Sequence, residues 1–522
     1  MSQEDFAEPR PEPIQPEDES PSQEPTLASP ADASVIPTPA GPEGASLVRR
    51  VWRRAISDSA TVWFVAVAVP FGLLFALTIP PSQGIDESSH FFRAWFVSTG
   101  DVVAQSKTDE TTRLRHAGGE IDPCVVSYIS GFQDKAYSPD DYSIRSYWTQ
   151  RDTCGISPST WYNADAAANY PPAAYFPQAV AIAASRAVGA PLAWSFFLGR
   201  LAGLVAFVLL GAIGIHLLPL GKGALMVIGL LPTSIMSAAT YNADMTSIGL
   251  AMFGVGLVGH CISVKTISVR SLVALSATFG LLGAIKPPYA VLSLVALLIP
   301  WLPGASWIRA FLTRCVVPLA AGCLSGLWLV VGSAPAEPAV FRSDIDHAEQ
   351  ARFILGHPLS FLATVARTLT AAGPQSYTLR GAIGSFGMGR FNGRSNDVVA
   401  PLGLLVVAAM TFAVAFRADL AEPKINQSRW RGFVGVSGPL AVGAAGLVMV
   451  YAAMYLIWSP VGSPYVLDVQ GRYLLPVACV VALIPPLTRF RKSSTSRKMN
   501  WIGLTAAAVL LYAVGKSFLI FY

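Results

Sequence analysis

The chain has 522 residues, of which 52% are hydrophobic and 13% charged, and its mean hydropathy is +0.48. That balance excludes an ordinary soluble domain and describes a polytopic membrane protein. The net charge of +5 is small and its basic residues sit in short loops between apolar runs, so it reports membrane topology and excludes a nucleic-acid partner.

Residues 1–48 are rich in Pro, Glu, Ser and Ala and carry about ten acidic residues. Such a segment cannot bury a core and reads as a disordered cytoplasmic tail; residues 49–522 form the polytopic domain. No signal peptide is expected, because the first apolar run starts near residue 61. Arg49, Arg50, Arg53 and Arg54 hold the N-terminus in the cytoplasm. The first span, Thr61 to Thr78, then delivers a dense stretch to the outside. Pro80 and Pro81 stop the helix. Asp86 and Glu87 follow, and a new helical pattern places Asp86, His90 and Arg93 on one face, at i, i+4 and i+7, over Phe91, Phe92, Trp95 and Phe96. Ionisable groups above aromatics suit the membrane–water interface, where an enzyme acting on a lipid-linked substrate needs them. The plainer reading is a capped helix with local ion pairs.

The first outer loop extends over 80–195. Its tyrosines and tryptophans imply a small folded insertion, and a disulfide between Cys124 and Cys154 is expected there, since both lie outside the cytoplasm; the alternative is two buried thiols. Tyr170-Pro171-Pro172 opens a helix reaching about Val188. Charge decides that it lies on the membrane rather than crossing it. The remaining apolar runs are 197–218, 223–240, 245–263, 271–286, 289–302, 310–332, 398–416, 434–457, 472–487 and 501–521. If the helix does not cross, the basic clusters at Lys222, Lys265 with Arg270, Arg309 with Arg314, Arg417 to Arg431 and Arg489 to Lys498 all fall inside. The expectation is an all-α protein of about 11 transmembrane helices, with juxtamembrane helices near 86–99 and 170–188, a second large outer loop over 334–397, the N-terminus cytoplasmic and the C-terminus outside. Tyr241-Asn242-Ala243-Asp244, Lys286-Pro287-Pro288-Tyr289 and Gln470-Gly471-Arg472-Tyr473 then reach the same outer face as Asp86. Charges at span edges must be paired or functional.

These stretches, with Gly384-Ser385-Phe386-Gly387 and the continuation Leu474-Leu475-Pro476, resemble over about residues 60–490 the bacterial polytopic family called domain of unknown function 2142. That family is grouped with the GT-C glycosyltransferases. The resemblance implies a multi-pass enzyme of the bacterial plasma membrane that uses a polyprenyl-phosphate-linked sugar on the outer face, with an envelope glycan, lipid or protein as acceptor. Two departures stand out: Gly84-Ile85 precedes the acids where many relatives have proline, and the insertion at 101–165 has no counterpart.

Sugar transfer needs a base for the acceptor hydroxyl, a carboxylate tolerated near an oxocarbenium-like centre and positive charge for the departing phosphate. Asp86 is the expected base, Glu87 the alternative, and His90 orients the acid or simply packs. Arg472 is the expected phosphate partner, because arginine grips phosphate bidentately; a structural ion pair is the rival reading. Lys286 is a second phosphate contact or a snorkelling lysine. Asp244 binds a metal or the acceptor, or caps the next span, and Arg200 has the same two readings. Arg93, Gln470 and Tyr473 complete the expected substrate site. The acids are too scattered to specify a divalent-metal ligand set, so metal dependence stays open. The glycine-rich 384–389 lacks a strand–helix context, which argues against a nucleotide cofactor. The rival functions are a transporter or flippase of lipid-linked glycans, marked by broken helices and midplane charges, and a non-enzymatic envelope scaffold.

Overall fold

The computed structural model describes residues 58–111, 115–134, 145, 147, 159–300, 304, 306–333, 345–370, 381–383, 429–488 and 496–521. The expected span 398–416, the 384–389 loop and Cys154 lie outside these residues.

Seven described stretches are long and apolar enough to cross a membrane: α1 (Ser59–Thr78), α5 (Leu192–Leu217), α8 (Asp244–Val264), α10 (Trp307–Ser333), α13 (Arg429–Trp458), the segment Gly471–Thr488 and α14 (Ser496–Phe521). A bent pair makes an eighth candidate. Here α6 (Lys222–Gly229) and α7 (Pro232–Ala239) meet at a 57° bend, placed by Pro232, which starts a helix readily but cannot continue one. Two expected spans are shorter than these candidates: α9 (Val269–Ile285), of 17 residues, and a twelve-residue 3-10 helix, Pro287–Leu298. The protein is therefore a multi-pass helical membrane protein. α1 packs on α5 and α14, α5 on α8, α8 on α9, and α9 on both α10 and the 3-10 helix. The core is aliphatic and aromatic, with Phe64, Phe75, Phe207 and Met252 fully buried.

Two glycines set a close helix crossing. A Cβ on Gly214 of α5 would lie 2.3 Å from the Met252 carbonyl oxygen, and one on Gly256 of α8 would lie 2.1 Å from the Gly214 oxygen. In lipid, helices gain contact by bringing backbones together through small residues. Gly256→Leu is expected to lower stability by about 1–3 kcal/mol through overpacking, read as a lower thermal unfolding temperature in detergent, while the same change at Gly322, where a Cβ meets nothing, leaves it unchanged.

The helices α2 (Glu87–Ser98) and α4 (Phe176–Ala187) have twelve residues each. At about 18 Å they are too short to cross, as expected of juxtamembrane helices. The insertion between them is the folded unit expected there, and it adds strands to an otherwise helical protein. It holds a three-stranded antiparallel sheet, β1 (Gln105–Thr108), β2 (Arg115–Ile121) and β3 (Thr160–Asn163), paired in that order, and the helix α3 (Pro123–Asp134). Gly119 of β2 lets the sheet sit on Phe96 of α2: a Cβ there would be 2.8 Å from the ring. Cys124 at the start of α3 is disulfide-bonded.

The second large loop also contains helices. Asp346 caps α11 (His347–Gly356) by accepting from the Glu349 amide at 2.9 Å, and α12 (Pro358–Thr370) follows. Phe361 and Val365 of α12 pack on Tyr451, Met454 and Tyr455 of α13. Gln350, fully buried, donates to the Tyr455 and Pro460 carbonyls at 3.0 and 3.2 Å and accepts from the Gly462 amide at 3.1 Å. These bonds fix the chain that runs from α13 towards Arg472.

Candidate functional site

Four segments distant in sequence meet at one end of the helices. Asp86 lies in the turn after α1, Asp244 is the first residue of α8, Lys286 follows α9, and Arg472 lies in the first turn of Gly471–Thr488. Arg472 stands between the two acids: Nη2 donates to Asp86 Oδ2 at 2.5 Å, and Nε is 2.9 Å from Asp244 Oδ2. Lys286 Nζ donates to Asp244 Oδ1 at 2.5 Å and lies 4.1 Å from the centre of the Tyr473 ring. The Tyr289 hydroxyl donates to the Tyr473 carbonyl at 2.9 Å, which ties the Lys286-Pro287-Pro288-Tyr289 turn to the Arg472 turn. Two carboxylates therefore balance two cations.

Within this cluster exposure is uneven. The side chains of Arg472 and Asp244 are 3% and 2% exposed, while that of Asp86 is 37% exposed. Asp86 also has a left-handed backbone, with φ 57°, and makes no side-chain cap to α2. This conformation is uncommon for a residue with a Cβ, and it turns the Asp86 carboxylate towards Arg472 rather than onto the helix amides. Burial pushes the carboxyl upward, but the facing Arg472 guanidinium holds it below its ordinary value.

His90 is buried beside the cluster, its Nδ1 2.6 Å from the Tyr175 hydroxyl and its ring 5.5 Å from that of Tyr170. Burial lowers its pKa to about 4, so the imidazole is neutral at physiological pH. Because the folded value lies below the ordinary 6.5, the unfolded chain takes up a proton that the folded one refuses. Stability is then expected to fall by about 3 kcal/mol as pH drops from 6.5 to 4. Asp86, lowered from 3.8, loses its own contribution only below that window. Unfolding temperatures across this range should show the loss in wild type and a flatter profile in His90→Gln.

The other expected site residues lie outside this charge cluster and have partners of their own. Arg93 donates to the carbonyls of Tyr170, Asp101 and Val102 at 3.0, 2.9 and 2.7 Å, so it fastens the loops around α2 and leaves the face it was expected to share with Asp86. Glu87 and Arg200 form a bidentate pair, at 2.8 and 2.6 Å, in which both side chains are buried. Arg200 also donates to the carbonyls of Ala76, Ile79 and Pro80, and Glu87 accepts from the amides of Gly84 and Tyr241. This clamp ties α5 to the turn that carries Asp86 and occupies both Glu87 oxygens, which explains the position of Gly84: a Cβ there would lie 2.8 Å from the Thr240 side chain and 3.0 Å from Glu87. Gln470 is half-buried just ahead of Arg472.

The family described as "Predicted membrane protein (DUF2142)" matches residues 70–481, the stretch that supplies all four members of the charge cluster. The chain belongs to the DUF2142 family. No curated protein matches the chain. In this DUF2142 protein no group of three or more His, Cys, Asp and Glu among the described residues is arranged to hold a metal ion. Asp86 and Asp244 each face a cation instead, so the donor set does not fit a divalent metal.

Sequence reasoning found every member of the cluster but missed two supporting partners, Tyr170 and Tyr175, beyond noting the Tyr170-Pro171-Pro172 motif. The signal for Tyr175 was its place one turn after two prolines, at the point where α4 begins.

Proposed function

We propose that this DUF2142 protein is a membrane glycosyltransferase of the GT-C type, acting on the outer face of a bacterial plasma membrane. It would take a sugar from a polyprenyl-phosphate carrier and place it on an envelope glycan, lipid or protein. The observation that carries this reading is the convergence of Asp86, Asp244, Lys286 and Arg472 at one end of the helices, in a chain with few charges. Charge is costly at the membrane edge and is kept there for chemistry or transport.

In this reading the acceptor oxygen forms a bond to the sugar C1 as the bond from C1 to the phosphate oxygen breaks. Asp86 takes the hydroxyl proton, and polyprenyl phosphate leaves with the bonding electron pair. Arg472 and Lys286 meet the charge that develops on the leaving phosphate, which is where preorganised cations contribute most. Asp244 holds both cations at their stations, and neutral His90 packs behind the base.

Purified protein incubated with a panel of polyprenyl-phosphate sugars is expected to liberate polyprenyl phosphate from at least one of them. Arg472→Lys should cut that rate by roughly 10- to 100-fold, because an ammonium cannot reach Asp86 and Asp244 from one fork. Failure of every donor across the panel would count against the transferase.

The bent pair α6–α7 favours a second reading, a flippase for lipid-linked glycans, since discontinuous helices mark many transporters. Movement of an intact, fluorescent lipid-linked sugar across proteoliposomes, with no sugar release, would select it.

A further inference from the structure

The two acids facing Arg472 are held very differently. Asp244 is buried and fastened twice, to Nε of Arg472 and to Lys286 Nζ. Asp86 has one ion pair among the described residues, to Nη2 of Arg472, and its side chain is 37% exposed. Nε and Nη2 of Arg472 therefore have distinct tenants, one buried and one partly open to solvent. Of the two occupants Asp86 is much the more exposed, so it is the one an arriving anion would displace, from Nη2.

We propose that a phosphate group takes Nη2 of Arg472 from Asp86 while Asp244 keeps Nε, and that this exchange frees the Asp86 carboxylate for proton transfer. The inference rests on the transferase reading and adds an order of events to it. Before the donor arrives, Asp86 is masked as the counter-ion of Arg472 and is a poor base. The donor phosphate brings its own negative charge and substitutes for it. After exchange Arg472 stays close but its charge is shared with the phosphate; Asp244 and the phosphate both disfavour a negative Asp86, and neutral His90 adds no charge. Its affinity for a proton rises at the moment a sugar is in place. Water reaching the empty site finds no competent base.

Carbodiimide coupling to an amine proceeds through the protonated carboxyl, so its pH profile at Asp86, read by peptide mass spectrometry, reports this exchange in the full-length protein. Three probes are compared: farnesyl phosphate, inorganic phosphate and farnesol. With farnesyl phosphate the midpoint for Asp86 should move up by about one pH unit, about tenfold more labelling at a fixed pH above the midpoint. A matching response to inorganic phosphate supports a site for the phosphate group itself; a response to farnesyl phosphate alone supports one that reads the lipid-borne headgroup. An unmoved midpoint, protection of Asp86 from labelling, or an equal response to farnesol would overturn the proposal. Arg472→Gln should start at the raised midpoint and ignore farnesyl phosphate; Arg472→Lys, which keeps the charge balance for folding, should respond weakly. Sugar transfer with no movement at Asp86 would sink the exchange and leave the transferase standing. Movement at Asp86 with no transfer from any donor would keep the anion exchange and remove the transferase.

Discussion

Asp86→Asn is expected to lose sugar transfer by about two to four orders of magnitude while still inserting and folding, with only the small stability loss of one partly exposed ion pair. The structure explains why this variant tests the chemistry cleanly. Asn occupies the left-handed region more readily than most residues with a Cβ, so φ 57° at position 86 is met without new strain. The side-chain oxygen can still accept from Arg472 Nη2. Arg472 keeps Asp244, so no buried charge is orphaned. The preserved fold does not depend on a helix cap, because Asp86 makes none. What disappears is the ability to accept a proton. Normal transfer by Asp86→Asn would remove Asp86 as the base, and Glu87 would be a poor heir, since both of its oxygens are already engaged.

Removing Glu87 should do the opposite: large damage to stability rather than to the chemical step. Glu87→Ala leaves Arg200, 2% exposed at its side chain, with three carbonyl partners and no counter-charge. Breaking a buried pair from one side costs about 3–5 kcal/mol, because the remaining charge stays desolvated. Arg200→Met strands the carboxylate in the same way. The double change Glu87→Ala with Arg200→Met removes both charges together and is expected to cost less than the sum of the single truncations, a coupling that a double-mutant cycle measures directly. Thermal unfolding of the four proteins in detergent decides it. Additive losses would mean that the two residues do not act as a pair.

The contrast between neighbouring acids shows what could be read from residues alone. The apolar runs announced most of the spans, since an uncharged apolar stretch of that length is what a bilayer core demands, and the positions of Asp86, Asp244, Lys286 and Arg472 at span edges marked the cluster. The division of labour between Asp86 and Glu87 was not legible. It hangs on one left-handed residue, which sends adjacent side chains to different partners, and on Arg200, 113 positions away. Helical spacing put Asp86, His90 and Arg93 on one face, but Asp86 stands outside the helix and Arg93 is claimed by backbone carbonyls. The sheet at 105–163 was hidden by its own brevity: its strands have four to seven residues and lean on Phe92 and Phe96, so tertiary contact rather than local preference defines them. The helices α11 and α12 were discoverable from the Asp346-x-x-Glu349 cap and the apolar spacing of Phe361 and Val365.

The 3-10 helix Pro287–Leu298 bears on how the chain is made. Its tighter winding rises about 2.0 Å per residue, so twelve residues reach about 24 Å where an α-helix would reach about 18 Å. That stretch approaches the thickness of a bilayer core with a segment too short to be recognised as a span on its own. During synthesis it is therefore expected to go in together with α9 as a hairpin, with Lys286 at the tip. The lysine must be carried through the lipid without a partner. Asp244, already delivered by the preceding hairpin, is waiting there to neutralise it. The residue that steadies the charge cluster in the finished protein would thus also trap the newly inserted hairpin, making assembly of the site and completion of the membrane topology a single event.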